Sequence, residues 1–337
     1  MCSMAALCLL FSSALADIEI HFLDVGQGDC AIIVADGEAM IIDGGSSSRS
    51  DKVFSYIRNT LNLDSFKYML ATHPHEDHIG GLSGALNAVP VDLILSPVLE
   101  WDSKEFRSLI KYADMRESMF EIPYDGETFS LGDGTVTILL CWPEADYYSS
   151  VNDMSIVLRV DYGIRSFLFT GDAEAYAEYM LVDAGGLSAD VLKVGHHGSS
   201  TSSTEEFLEA IKPTYAIISC GKYNSYGHPR QETLNKLNNI GALILRTDLQ
   251  GTIVMQSDGV DLKVSTEKVA NAEALHTAPN ISLDLPIDAY IGNLRTKKFH
   301  CPDCEWALVI SETNRVIFKS REEAILFDYE PCKTCKP

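Results

Sequence analysis

Residues 72–78 read Thr-His-Pro-His-Glu-Asp-His, which places three imidazoles and Asp77 within six positions, directly behind an apolar strand candidate, Tyr68–Thr72. Two residues apart on a strand end, His73 and His75 point the same way. Asp77 and His78 open the following helix and aim at a neighbouring point. The pattern suits two adjacent metal ions, one on each subset. Neutral imidazole with carboxylate is a donor set that Zn²⁺, Mn²⁺ or iron takes. A solvated His-rich turn is the plain alternative, and both the strand-end placement and the spacing argue against it.

Around this motif, short β-branched runs alternate with helical stretches. Strand candidates run from Ile18–Leu23 to Thr252–Gln256, and helices are expected over Asp51–Leu61, Ser103–Ser118, Ala173–Val182, Thr204–Ile211 and Arg230–Asn238. Two strand-rich halves with helices outside predict an α/β chain folded as an αββα sandwich. Hydrophobic residues make up 46% and charged residues 22% of the 337. Those values suit a folded globular chain and exclude a mainly disordered or fibrous one. The net charge of −22 repels polyanions at long range. Any phosphate-directed function therefore needs bound cations to reverse the local sign.

Charge and cysteine divide the chain. Of the 26 Lys+Arg and 48 Asp+Glu, 8 and 7 lie from Ala289 onward, which leaves 18 against 41 before it. Cys301, Cys304, Cys332 and Cys335 crowd the same end. Residues 267–288 are rich in Ala, Asn and Pro without a strong period and read as a linker. Residues 1–16 form an apolar run that closes on Ala14-Leu15-Ala16, a signal-peptide pattern without a preceding Lys or Arg. The expected organisation is a leader over 1–16, a catalytic domain over 17–266, the linker, and a module over 289–337. Export follows from the leader, to a secreted or cell-surface location with no stable membrane span.

The run His73–His78 is an H-x-H-x-D-H signature, and with it the chain resembles the metallo-β-lactamase superfamily. Phe169-Thr170-Gly171-Asp172, residues 190–199 (DVLKVGHHGS), 224–229 (NSYGHP), 24–29 (DVGQGD) and Ile42-Asp43-Gly44-Gly45 extend the likeness. Together, over about residues 18–265, they are similar to the extracellular metallo-hydrolase domain of the ComEC DNA-uptake proteins. The resemblance implies the αββα fold and a dinuclear centre of two divalent ions, Zn²⁺ or Mn²⁺. It implies that His73 and His75 hold the first metal, that Asp77 and His78 hold the second, and that Asp172 bridges them. His196 would complete the second site, with His197 as a hydrogen-bond donor to substrate and His228 as a rival last ligand. The other reading of Asp172 is a helix N-cap. No His lies between His78 and His196, where many superfamily hydrolases carry one more ligand. Asn152 stands in that stretch, a weaker and harder donor that makes Mn²⁺ plausible. Asp24 and Asp29 either orient imidazole N–H groups or form turns beside Gly26 and Gly28.

Two such metals, about 3.5–4 Å apart, lower the pKa of a shared water toward neutrality and polarise the scissile group. Asp77 is expected to orient the resulting hydroxide, and His197 or His228 to protonate the leaving group. Asn152, Lys193 and Ser199 are expected to touch substrate, although residues 199–204 also read as a loop and helix cap. The resemblance implies phosphodiester cleavage, single-stranded DNA included. No basic stripe interleaved with aromatics runs through residues 17–265, so a small phosphodiester or a short strand end fits better than extended tracking. A lactone or other small ester, and a silent binding protein that keeps the fold, are the competing readings. The intact His73/His75/Asp77/His78/Asp172 set argues against the last.

At the other end, Phe299-His300-Cys301-Pro302-Asp303-Cys304 is followed by Cys332-Lys333-Thr334-Cys335, a structural-zinc spacing. A 49-residue module has too small a core to be stable alone without help. In an exported chain, two disulfides are the rival. From Tyr290 to the closing Cys pair the segment resembles the zinc-binding N-terminal domain of Ada DNA-repair proteins. The resemblance implies His300, Cys304, Cys332 and Cys335 as ligands of one structural Zn²⁺. His300 stands where that family carries its methyl-accepting Cys, so methyl transfer is not expected, and Cys301 is left over. Lys297, Lys298, Lys319, Arg321, Lys333 and Lys336 make the module a candidate nucleic-acid anchor or a solvated appendage.

Overall fold

The computed structural model describes residues 17–142, 150–278 and 290–337, less 302–303, 309, 311–314, 319 and 328. The expected leader lies outside the described residues. Strands β1 (Ile18–Phe22), β2 (Ala31–Ala35), β3 (Glu38–Ile42), β4 (Phe66–Leu70), β5 (Val91–Leu95) and β6 (Met119–Glu121) build a first sheet. Strands β7 (Thr128–Leu131), β8 (Gly134–Leu140), β9 (Val157–Tyr162), β10 (Arg165–Phe169), β11 (Val191–Lys193), β12 (Tyr215–Ile218) and β13 (Leu243–Arg246) build a second. The chain then returns to the first sheet with β14 (Ile253–Ser257) and β15 (Leu262–Thr266), giving the order β15-β14-β1-β2-β3-β4-β5-β6 against β13-β12-β11-β10-β9-β8-β7. Pairing is parallel from β3 to β6 and from β10 to β13, and antiparallel elsewhere.

The period of two in these strands sorts their side chains between layers. Ile18, Ile20 and Phe22, Ile33, Met40 and Ile42 face the second sheet, where they meet Leu158, Val160, Phe167 and Phe169. Ile32, Ala39 and Ile41 turn to the opposite face. There the first sheet is covered by α1 (Ser50–Ser55), α2 (Glu76–Ile79), α3 (Leu82–Ala88) and α4 (Lys104–Met115). The second sheet is covered by α5 (Ala175–Ala184), α6 (Glu205–Ile211) and α7 (Gln231–Asn239). Two buried sheets between two helical layers are the αββα sandwich. Each fully buried Ile or Phe in it contributes about 1.5–3 kcal/mol.

The structure corrects three sequence readings. The helix expected over Asp51–Leu61 is α1 followed by a π-helical stretch, Tyr56–Leu61, which stops at Asn62 in the left-handed region. Asp172 is no helix cap, because α5 begins at Ala175 and Glu174 holds the N-cap position. Residues 267–278 are not a free linker. Arg246, fully buried, donates Nη1 hydrogen bonds to Ala274 O at 3.1 Å and Thr277 O at 2.6 Å, while Asp248 takes Nε and Nη2 at 3.0 and 2.8 Å. A buried guanidinium must have its donors met, and this one meets them partly with the backbone around α9 (Ala272–Leu275).

The end of the chain forms a small sheet of β16 (Tyr290–Asn293), β17 (Lys298–His300), β18 (Arg315–Phe318) and β19 (Glu330–Pro331), in the order β18-β16-β17-β19. It carries α10 (Glu305–Leu308) and α11 (Arg321–Leu326). Its apolar cores are two small groups, Ile291, Cys304, Ala307, Ile310 and Cys332, and Phe299, Phe318, Ala324 and Tyr329. Among the described residues no helix is long and apolar enough to cross a membrane.

Candidate metal centre

The cluster forms where strand ends of both sheets meet. β4 stops at Leu70, and Thr72 is then fixed by Asp43, which follows the neighbouring parallel strand β3: Thr72 N and Oγ1 donate to its two oxygens at 2.8 and 2.7 Å. The same carboxylate accepts from His78 Nδ1 at 2.7 Å. That bond consumes the Nδ1 proton and leaves Nε2 as the free lone pair, turned toward the second sheet. Opposite it stands Asp172, at the turn behind β10. Gly171 makes the turn with φ +51°, and a Cβ there would approach Ser155 Oγ and Thr72 Cβ to 2.9 Å. Two loops from different sheets can touch only because that side chain is absent.

His78 Nε2 and Asp172 Oδ1 face each other at 3.2 Å, yet both are buried atoms without a hydrogen-bond partner. His73 Nε2 lies 3.9 Å from Asp172 Oδ2 and 3.0 Å from His75 Nδ1. His197 Nε2 lies 3.6 Å from Asp172 Oδ2 and 3.2 Å from Asp77 Oδ2, and His196 Nε2 lies 3.8 Å from Asp172 Oδ2. A buried imidazole nitrogen and carboxylate oxygen left without hydrogen-bond partners, with three more imidazoles within 4 Å of the same carboxylate, fit a cation shared between them. Ligand atoms of Asp29, His78, Asp172 and His197 all fall within 4.8 Å of one another.

The electrostatics make the same demand. Burial opposes ionisation of Asp172, but His197 and His78 outweigh it and hold the carboxyl well below its usual range. Burial likewise opposes charge on His78 and His197. Asp172 and Asp43 lift the first well above its ordinary value, and Asp172 and Asp29 push the second to about 10. His73, pressed by burial and by His78, is held well below its ordinary value. The buried carboxylates thus draw positive charge into the cluster.

The other expected residues separate. Asp77 lines the cavity beside the cluster, its carboxyl lowered by His197 and His78 against the cost of burial. His196 holds Glu174 Oε1 at 3.2 Å and Thr201 Oγ1 at 3.0 Å through Nδ1, which leaves Nε2 toward Asp172 on a partly exposed ring, whereas the His197 ring is buried. Both residues take left-handed φ, +47° and +54°, and that is what splays two adjacent rings. His228 sits behind them with its ring 5.5 Å from that of His196, and burial with His197 and His196 lowers it to about 3. Asn152 donates Nδ2 to Glu174 at 3.1 Å and keeps a buried, unpartnered Oδ1.

Lys193 and Ser199 are not among the described residues that border the cavity. Lys193 is buried against Asp29 at 2.6 Å, because a buried cation needs its counter-charge. Ser199 is closed into a turn with Thr201 at 3.1 Å. Asp29 sits against His197 Nδ1 at 3.1 Å, while Asp24 accepts from Gly26 N as a turn residue. The sequence reading assigned Asp43 no role. Its only signal was its place directly behind a strand parallel to the His-bearing one. Asp43→Asn is expected to weaken metal binding about 10- to 100-fold in a Mn²⁺ titration. A change under about threefold would mean that Asp43 serves packing alone.

In the terminal module, ligand atoms of His300, Cys304, Cys332 and Cys335 also lie within 4.8 Å of one another. Thr334 N and Cys301 N donate to the sulfurs of Cys332 and Cys335, each at 3.4 Å. Burial raises the Cys332 thiol, but backbone N–H groups from Cys335 and Thr334 bring it down to about 7. Sulfurs that receive N–H bonds fit thiolates around a cation. No disulfide joins any of the described cysteines. Cys301 offers only its backbone to the cluster.

A cavity of about 630 Å³ opens over the first cluster, bordered by His75, Asp77, Asn152, Asp172, His196 and His228. The profile of the Metallo-beta-lactamase superfamily matches residues 23–222. ComE operon protein 3 of Bacillus subtilis is 30% identical over 270 residues, 75% of this chain and 34% of that protein. Recombination protein 2 of Haemophilus influenzae is 30% identical over 241 residues, 70% of this chain and 28% of that protein. Competence protein ComA of Neisseria gonorrhoeae is 29% identical over 232 residues, 68% of this chain and 31% of that protein. The chain spans about a third of the length of these relatives.

Proposed function

The chain belongs to the metallo-β-lactamase superfamily, and from that membership we propose that it is an exported dinuclear metallo-hydrolase that cleaves phosphodiester bonds. The carrying observation is the buried, unpartnered pair His78 Nε2 and Asp172 Oδ1, 3.2 Å apart between the two sheets. Residues that would hold the cations are His73, His75, Asp77, His78 and Asp172, with His197 as last ligand in place of His196. When bound, divalent ions there lower the pKa of a shared water and offset the charge of an anionic transition state.

The protein's own groups do the rest. Asp43 fixes the tautomer of His78, and Ser219 O, at 3.0 Å from His197 Nδ1, fixes that of His197, with Asp29, itself held by Lys193, alongside. Asp77, ionised at the cavity wall, accepts a hydrogen bond from water beside it and so orients that water toward the substrate. His228, its ring held neutral by burial and by His197 and His196, borders the cavity and is the group that would hydrogen-bond a leaving oxygen. The names of the relatives, in competence and recombination, support a nucleic-acid substrate, single-stranded DNA included. The basic residues of the module support a role as anchor, and its His300/Cys304/Cys332/Cys335 set supports one structural Zn²⁺. The apolar run over 1–16 supports export.

The test is turnover by the full chain loaded with Mn²⁺ or Zn²⁺, on bis-p-nitrophenyl phosphate, end-labelled single-stranded DNA and a set of lactones. Hydrolysis of the phosphodiesters is expected. Lactone hydrolysis without phosphodiester hydrolysis, or no turnover on any of the three, would contradict the proposal.

A further inference from the structure

In a chain of net charge −22, one cation stands at the mouth of the cavity without a counter-charge. Arg49 is the single Lys or Arg among the described residues that line it. Arg49 is exposed, and its guanidinium forms no ion pair or hydrogen bond with the described residues; it rests against Gly26, whose missing Cβ would come within 3.0 Å of Nη2. An arginine in so acidic a surface would ordinarily fold onto a carboxylate. This one is kept from doing so by its mounting.

The turn Ser47–Arg49 is fastened to the metal-motif helix α2. Ser47 N and Oγ both donate to Glu76 Oε1 at 2.8 Å, which satisfies the nearest acid on that helix. Backbone bonds from Gly44 N to His78 O and from Gly81 N to Gly45 O, both 2.7 Å, lock the same strip. A Cβ on Gly80 would come within 2.4 Å of Ser47 N, so the approach is as close as backbone allows. The turn that carries Arg49 is therefore held against the ligand helix, which keeps the base of this side chain at the edge of the cavity. Also bordering the cavity, Tyr226 lies nearly parallel to the His228 ring (24°, centroids 5.7 Å apart) and is 56% exposed.

We propose that Arg49 is the specificity-determining contact of this cavity: it binds a second, unreacting phosphate of the substrate while a base stacks on Tyr226, so that the site selects a nucleic-acid strand over an isolated diester. Planar guanidinium matches phosphate in a two-pronged bond, and a tyrosine face accepts any base. The proposal rests on the phosphodiesterase reading and names what that site would select.

Binding separates the two. The full chain, loaded with Mn²⁺, is titrated calorimetrically with thymidine 3′,5′-bisphosphate and with thymidine 5′-monophosphate, neither of which holds a phosphodiester to cleave. The wild type should prefer the bisphosphate by roughly tenfold or more, the worth of one charged hydrogen-bond pair. Arg49→Ala should cut that preference to about twofold and Arg49→Lys should keep part of it, since lysine retains charge without the fork. Tyr226→Ala should weaken both ligands alike. An unchanged preference in Arg49→Ala, or none in the wild type, overturns the proposal. Wild-type hydrolysis of bis-p-nitrophenyl phosphate, measured alongside, reports on the hydrolase reading independently: it can fail while the Arg49-dependent preference stands, and the reverse.

Discussion

Asp172→Asn is expected to remove turnover by about 10³-fold or more, together with most of the metal bound at the strand-end cluster. Asp172 is a carboxylate within 4 Å of four imidazoles, those of His73, His78, His196 and His197. The amide matches its size, so packing is kept while the charge is lost. His78 and His197 carry raised proton affinity largely because of this carboxylate, against the cost of burial. Without it that proton affinity falls, and the cluster loses the buried negative charge that would hold a cation. Steady-state kinetics and metal analysis on the same sample make the check. Turnover retained within about tenfold would show that Asp172 is not shared between metals, and a loss of that size falls far short of removing a principal ligand.

The second large effect belongs to the terminal module. Cys332→Ser should abolish its metal and unfold it, since a structural Zn²⁺ supplies about 10–16 kcal/mol of apparent binding energy in small domains. The two apolar groups around Ile291 and Phe299 are too small to replace that contribution. One metal per chain should be lost, residues 290–337 should become sensitive to protease, and turnover of bis-p-nitrophenyl phosphate should change little. A protease-resistant module without its metal would mean that the apolar groups suffice.

The first-sheet candidates were legible because His73, His75, Asp77 and His78 are local: one strand end and one helix start hold them. Asp172 was legible through its Gly-Asp turn, although its capping role fell once α5 proved to begin at Ala175. The choice between His196 and His197 was not legible. It depends on two consecutive left-handed residues, and no pattern of residue types declares that torsion. Lys193 looked like a phosphate contact and is instead the buried partner of Asp29, a pairing across 164 positions of chain. The αββα layers followed from the family resemblance, with the alternation of strands and helices in agreement, yet α3 was missed because Gly84 weakens its helical signal. That glycine is needed: a Cβ would come within 2.2 Å of Ser50 O where α3 crosses α1. Low periodicity likewise hid the hold that Arg246 has on Ala274 and Thr277 within the expected linker, whose residues 279–288 lie outside the described residues.

Anomalous diffraction from crystals of the chain grown with Mn²⁺ tests the central claim most directly. Two peaks are predicted on either side of Asp172, one toward His73 and His75 and the other toward Asp77, His78 and His197, about 3.5–4 Å apart. A single peak, or none within reach of Asp172, would contradict the account.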